Sequence, residues 1–99
     1  MIVVRNVFQV KFGRMREARE LWKEALKLGA MQGAAKPRLL TDLTGPYYTL
    51  VLENTYKDLA DYEATDRKTM SQPEMGAWYQ KFIPLVDSGR REIFSILEP

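Results

Sequence analysis

Hydrophobic positions recur at every second residue near the start of the chain. Between residues 2 and 11, Ile2, Val4, Phe8 and Val10 fall on one side with Asn6. Val3, Arg5, Val7, Gln9 and Lys11 fall on the other. β-Branched and aromatic residues in this alternation predict a strand, ended by Gly13. From Arg14 to Leu28 the period lengthens. Met15, Ala18, Leu21, Trp22, Ala25 and Leu28 recur at three- and four-residue steps between charged residues, which predicts an amphipathic helix. Gly29 is a stop signal, although Ala30 to Ala35 can carry a helical turn further, and Gly33 loosens the chain before Pro37.

Alternation returns from Arg38 to Leu43 and from Tyr47 to Asn54. The Thr44-Gly45-Pro46 turn between them predicts an antiparallel hairpin. In GPYYTLVLEN, Tyr48, Leu50 and Leu52 share one face, and Tyr47, Thr49, Val51 and Glu53 share the other. Asp58 is placed to cap a second helix, with Asp61 completing a weak capping box. Leu59 and Tyr62 give that helix an apolar stripe, closed by Met70. Ser71 to Glu74 carries another capping-box pattern, with Pro73 in the first turn. Met75, Trp78, Tyr79, Phe82 and Val86 make one face of a third helix, tightened near its end by Pro84 and stopped by Gly89. Arg90 to Leu97 is a closing strand, with Glu92, Phe94 and Ile96 against Arg91, Ile93, Ser95 and Leu97. The order is β-α-β-β-α-β with the second helical segment split. It predicts one α+β domain over residues 1–99, a ferredoxin-like fold with a four-stranded antiparallel sheet.

Helices in this topology cover one sheet face. Val4, Phe8, Val10, Tyr48, Leu50, Leu52, Phe94 and Ile96 suit that face, with Leu21, Trp22, Trp78 and Phe82 packed on them. The other face keeps Val3, Val7, Tyr47, Val51, Ile93 and Leu97, mixed with Arg5, Gln9, Thr49, Glu53, Arg91 and Ser95. Monomers seldom leave such an apolar group together in water. The expected solution is a homodimer packed through these faces, with a two-fold interface of about 1,500 Å².

Composition narrows the chemistry. The 99 residues include no cysteine and no histidine. That removes disulfides, thiolate nucleophiles, sulfur-ligated metals, histidine-based triads and the usual zinc and haem ligands. An all-oxygen magnesium or calcium site stays open, but no D-x-D-x-D-G loop offers one and the carboxylates fall mostly on helix faces, so no metal or cofactor is expected. Fifteen basic and thirteen acidic residues leave a net charge of +2. The charges interleave, so no nucleic-acid surface is expected. No apolar run is long enough to span a membrane, and the opening MIVVRNVFQV lacks the pattern of a signal peptide. A cytoplasmic location is the default.

The first strand followed by KFGRMREARELWKEA resembles the opening of dimeric α/β-barrel proteins. The remainder, TGPYYTLVLENTYKDLADYEATDRKTMSQPEMGAWYQKFIPLVDSGRREIFSIL, resembles NIPSNAP-like bacterial members of that superfamily. The resemblance implies two ferredoxin-like chains closing their sheets into a barrel. The superfamily also includes cofactor-free antibiotic-biosynthesis monooxygenases, ring-closing polyketide enzymes and haem-degrading enzymes. This chain has no histidine for the haem-ligating or cyclase-type members, and no catalytic residue transfers by motif.

Two places can hold a ligand. The first lies between sheet and helices, where Trp22, Trp78, Tyr79, Phe8 and Tyr48 either line a cavity or form core. The second is the dimer interior, where Arg5, Gln9, Glu53 and Arg91 either pair with one another or leave Arg5 and Arg91 to receive a planar anion beside Glu53 or Tyr47. The expected function is a small homodimeric domain that binds a hydrophobic or anionic molecule or serves in assembly. The alternative is a cofactor-free monooxygenase acting on an aromatic, polyketide-like substrate, with Asn6, Asn54, Arg5 or Tyr79 stabilising a carbanion.

Overall fold

Four strands form one antiparallel sheet in the order β2-β3-β1-β4. They are β1 (Ile2–Val10), β2 (Arg38–Thr41), β3 (Thr49–Tyr56) and β4 (Val86–Ser95). Three helices, α1 (Met15–Lys27), α2 (Leu59–Met70) and α3 (Pro73–Phe82), pack on one face, and a 3₁₀ turn (Ile83–Leu85) leads into β4. This is the expected ferredoxin-like α+β fold. The computed structural model describes residues 1–29, 33 and 35–98. The possible extra helical turn over 30–35 lies largely outside the described residues.

The core forms where the two hydrophobic periods meet. From the sheet come Val10, Leu50 and Leu52; from the helices come Trp22, Met75, Trp78 and Phe82, all buried. Ala18 and Ala25, both fully buried, let α1 lie close to the strands. The Trp78 indole N–H donates to the Leu21 carbonyl at 2.5 Å and ties α3 to α1. A second cluster joins Val4, Tyr56 and Tyr62 at the other end of the sheet.

Helix α2 starts as its sequence dictates. The Asp58 carboxylate accepts from the Asp61 N–H at 2.8 Å, and the Asp61 carboxylate accepts from the Lys57 N–H at 3.0 Å. The pattern at Ser71–Glu74 is not a second capping box. Ser71 closes α2 with its hydroxyl on the Lys68 carbonyl, and α3 begins after Gln72 with no side-chain cap. Proline at the first turn, preorganised for a helix, suffices there. Thr69 rather than Met70 turns inward, and Met70 is half exposed.

The last strand departs most from expectation. It starts at Val86, so Val86 belongs to the sheet and Gly89 lies inside a strand instead of ending a helix. Gly89 stands opposite Phe8, and a Cβ there would lie 2.8 Å from the Phe8 ring. The register pairs Asn6 with Arg91, Val4 with Ile93, Arg5 with Glu92 and Val3 with Phe94. Arg91 and Ile93 therefore share the helix-covered side with Asn6 and Val4. Glu92 and Phe94 share the open side, which reverses the expected phase. The hairpin also shifts: β3 begins at Thr49, and Tyr47 and Tyr48 belong to the turn. Tyr48 takes a left-handed conformation at φ 64°.

Candidate functional site

A cleft of about 670 Å³ opens between the sheet and helices α2 and α3. Its floor is aromatic: Phe8 from β1, Trp22 from α1, and Trp78 and Phe82 from α3. These rings support one another. Trp22 meets Trp78 edge-on at 4.4 Å between centroids, and Phe8 meets Phe82 edge-on at 4.9 Å. Each ring is thus both core and lining, so the two readings of Trp22 and Trp78 coincide. Tyr79, nearly half exposed, stands at the rim. Tyr48 is not among the lining residues.

One end of the cleft is polar. The alternation of β1 turns Asn6 inward, and its side-chain oxygen accepts from Arg91 Nε at 3.0 Å. The Arg91 guanidinium lies over the Tyr62 ring, 5.5 Å from its centroid, a cation–π contact. No ion pair engages Arg91 among the described residues. Asp66 and Thr69 of α2 line the same end. Of the three buried donors without a hydrogen-bond partner among the described residues, two belong to residues that line the cleft, the Trp22 indole N–H and the Tyr62 hydroxyl; the third, Arg5 Nε, lies beside Glu53 on the other face.

The tyrosines here keep their protons. Burial pushes the Tyr56 phenol up to about 12, with Tyr62 and Asp66 adding to the shift and Arg91 opposing it. Burial, then Asp66, raises Tyr62 in the same direction, again against Arg91. Desolvation and a nearby carboxylate both disfavour the phenolate, so both hydroxyls stay protonated at neutral pH. The polar end presents the Arg91 guanidinium, with Arg90, Asp66 and several donors beside it, above an aromatic floor, a combination suited to an aromatic molecule carrying a carboxylate, phenolate or enolate.

Arg5 and Arg91, expected to share a ligand, lie on opposite faces of the sheet. Adjacent strand residues point oppositely, and β1 and β4 align Arg5 with Glu92, not Arg91. On the open face Glu53 is held by Arg38 and by Arg5, the latter at 3.3 Å. Gln9 donates to the Tyr47 carbonyl. Tyr47 is largely exposed, its ring near Phe12. Tyr56, Asp66 and Arg90 also line the cleft, and no sequence motif marks them. Extending the Leu52, Asn54 alternation by one step points to Tyr56. Among the described residues, no cluster of three acidic side chains is placed to hold a metal, and no helix is long and apolar enough to cross a membrane.

Fold and cleft together define a ferredoxin-like α+β chain with an aromatic pocket under its helices. No family model matches the chain, and no curated protein matches its sequence. Solved structures do. An uncharacterised NIPSNAP domain protein from Burkholderia xenovorans superposes with a TM-score of 0.84 at 17% identity, covering 98% of this chain and 95% of its own. A NIPSNAP family protein from Agrobacterium tumefaciens gives 0.85 at 18% identity, covering 98% and 86%. A variant of a cofactor-independent oxygenase from Streptomyces nogalater gives 0.71 at 16% identity, covering 99% and 94%. The structural neighbours are thus the NIPSNAP domain proteins of the expected resemblance together with monooxygenase-type chains, and at these identities the likeness establishes the fold.

Proposed function

We propose that the chain is one half of a homodimer and binds a small aromatic molecule with an anionic or acceptor group in the cleft between sheet and helices. The observation that carries this reading is Arg91, a cation without an ion-pair partner among the described residues, set over Tyr62 and held by Asn6 above an aromatic floor. The unpartnered Trp22 and Tyr62 donors support it, because buried polar groups are nearly always satisfied. The cleft volume is in the range that encloses a small ligand. In this reading the chain works in the cytoplasm without a cofactor, and its partners are its own copy and the ligand, not nucleic acid or membrane.

The test uses the chain's own reporters, since both of its tryptophans line the cleft. Titrating a panel of aromatic carboxylates and phenols should quench or shift tryptophan fluorescence. Arg91→Ala should weaken binding of the anionic members by about tenfold or more and spare neutral analogues. A panel that binds equally well to both proteins, or not at all, would sink the proposal.

A second reading is favoured by the oxygenase-type neighbours. With no histidine in the chain and both cleft tyrosines held protonated, substrate ionisation rests on the Asp66 carboxylate that lines the cleft or on the substrate's own acidity. Arg91 and the Tyr62 hydroxyl then stabilise the resulting anion for reaction with oxygen. Oxygen uptake with anthrone- or quinol-type substrates, lost in Arg91→Ala, is the expected result. Binding without uptake across such a panel leaves the first reading standing alone.

A further inference from the structure

Helix α2 turns polar residues inward. Tyr62, Thr65, Asp66 and Thr69 follow one another at steps of three and four, so they share one face. All four line the cleft. The opposite face carries Glu63, Ala64, Arg67 and Lys68, all exposed, with Arg67 holding Glu63 at 3.0 Å. Leu59 and Met70, the other large apolar side chains of the helix, stay more than half exposed. A surface helix ordinarily turns an apolar stripe to the core, and folding alone gives no reason for this reversal.

Asp66 is the charged member of the inner face. It is half-buried, and no hydrogen bond or ion pair engages it among the described residues. It stands one helical turn, about 5.4 Å along the axis, from Tyr62, and the Arg91 guanidinium lies over the Tyr62 ring. Its charge reaches the Tyr56 and Tyr62 phenols, where it raises what Arg91 lowers. Yet no ion pair joins Asp66 to Arg91 among the described residues, and Arg91 Nε is held by Asn6. Arg90 is engaged elsewhere, on Glu92 at 3.0 Å. A carboxylate and a guanidinium that meet satisfy each other. Two that stand apart in one cleft offer an acceptor and a cation to the same ligand.

We propose that Asp66 is the specificity-determining residue of the cleft, accepting a hydrogen bond from a hydroxyl or amino group of an aromatic acid whose anionic group lies on Arg91. This rests on the cleft reading of the proposed function and names the class of ligand within it, aromatic acids that carry their own donor. The selectivity has two sources. A donor aimed at an ionised carboxylate makes a charge-assisted hydrogen bond, stronger than a neutral one. An acid without a donor brings its anion beside an uncompensated carboxylate, and like charges in a partly dehydrated site repel.

The test compares naphthoates by isothermal titration calorimetry: the unsubstituted acid and its hydroxy, amino and methoxy derivatives at several ring positions. The methoxy group keeps the hydroxyl's oxygen but has no proton to donate. In the wild type a hydroxy- or amino-naphthoate should bind about tenfold or more tighter than the unsubstituted acid and the methoxy ether. Which of the two ranks first identifies the donor. Asp66→Asn keeps the shape of the side chain, loses its charge and gains an N–H donor, so the gap between hydroxyl and methoxy should close to within about threefold. A general loosening of the fold moves all ligands together, whereas the ranking reports Asp66 itself. Arg91→Ala should weaken every member of the set. No binding by any naphthoate overturns the cleft reading and this inference with it. Binding that needs Arg91 but ignores the donor leaves the cleft reading in place and overturns the role of Asp66. A donor preference that survives Asp66→Asn unchanged belongs to another group and likewise overturns that role.

Discussion

Tyr56 shows how much one buried hydroxyl determines at the polar end of the cleft. Its side chain is almost wholly buried against Val4 and Tyr62, and burial holds its phenol up at about 12. The folded chain favours the protonated form. Its contribution to stability is therefore complete below the ordinary tyrosine range near 10 and is lost as pH rises from about 10 to about 12. Tyr56→Phe removes this titration. Of the chain's five tyrosines, the latest step in an ultraviolet tyrosinate titration should disappear in the variant. The difference in stability between wild type and variant should also move in the variant's favour across that window. A late step that survives in Tyr56→Phe would assign it elsewhere. Arg91 is the counterpart: it opposes the shifts of both Tyr56 and Tyr62, so an anion bound beside it should raise both phenols further.

At the scale of elements, β4 is the part that positions the site, and Gly89 is the part of β4 that sets its approach to β1. Glycine in a strand interior ordinarily weakens the strand, and replacing it with alanine commonly helps by about 0.5–1 kcal/mol. Here the added Cβ would press into the Phe8 ring, which is itself wedged against Trp22 and Phe82. Gly89→Ala should therefore destabilise, by about 1–3 kcal/mol for overpacking, read as a lower denaturation midpoint at unchanged slope. A neutral or stabilised variant would mean that Phe8 has room to turn. The same strand marks the limit of what its residues disclose. In β1 and β3, Val4, Val10, Leu50 and Leu52 are fully buried on one side, so alternation shows the phase directly. In β4, an edge strand exposed along most of its length, Phe94 on one face and Ile93 on the other are equally plausible as core. With no strongly buried face the phase is weakly specified. Only pairing with β1 settles it, and with it the side on which Arg91 falls. The aromatic floor was legible because Trp22, Trp78 and Phe82 follow helical spacing. The Asn6–Arg91 contact was not, because it joins residues 85 positions apart.

At the scale of the whole molecule, the open sheet face is less apolar than the residue pattern suggests. Val7 and Val51, Cα partners on that face, are already more than nine-tenths buried within the single chain. Phe94 and Tyr47 stay exposed, around a row of charges in which Arg38 and Arg5 hold Glu53 and Arg5 lies 3.7 Å from Glu92. The exposed ion pairs in that row add only about 0–1 kcal/mol each to the folded chain. A 99-residue chain has a modest core, with total stability of order 5–15 kcal/mol, so covering a whole sheet face changes its stability appreciably. If the native state is a dimer and the unfolded state is not, stability must depend on concentration. For a chain of this size unfolding carries about 70 kcal/mol of enthalpy. Each tenfold rise in protein concentration should then raise the thermal midpoint by about 3–5 °C. Salt gives an independent reading, because it screens partly exposed pairs over about 10 Å at moderate ionic strength. Where ion pairs join the two copies of the proposed dimer, added sodium chloride should weaken the dimer of the wild type more than that of Arg38→Gln/Glu92→Gln, which has lost the outer charges of the row. Differential scanning calorimetry over a hundredfold concentration range, at low and at moderate salt, measures both effects. A midpoint that does not move with concentration identifies a stable monomer. A midpoint that moves with concentration but equally with salt in both proteins keeps the dimer and removes the outer charges as its support.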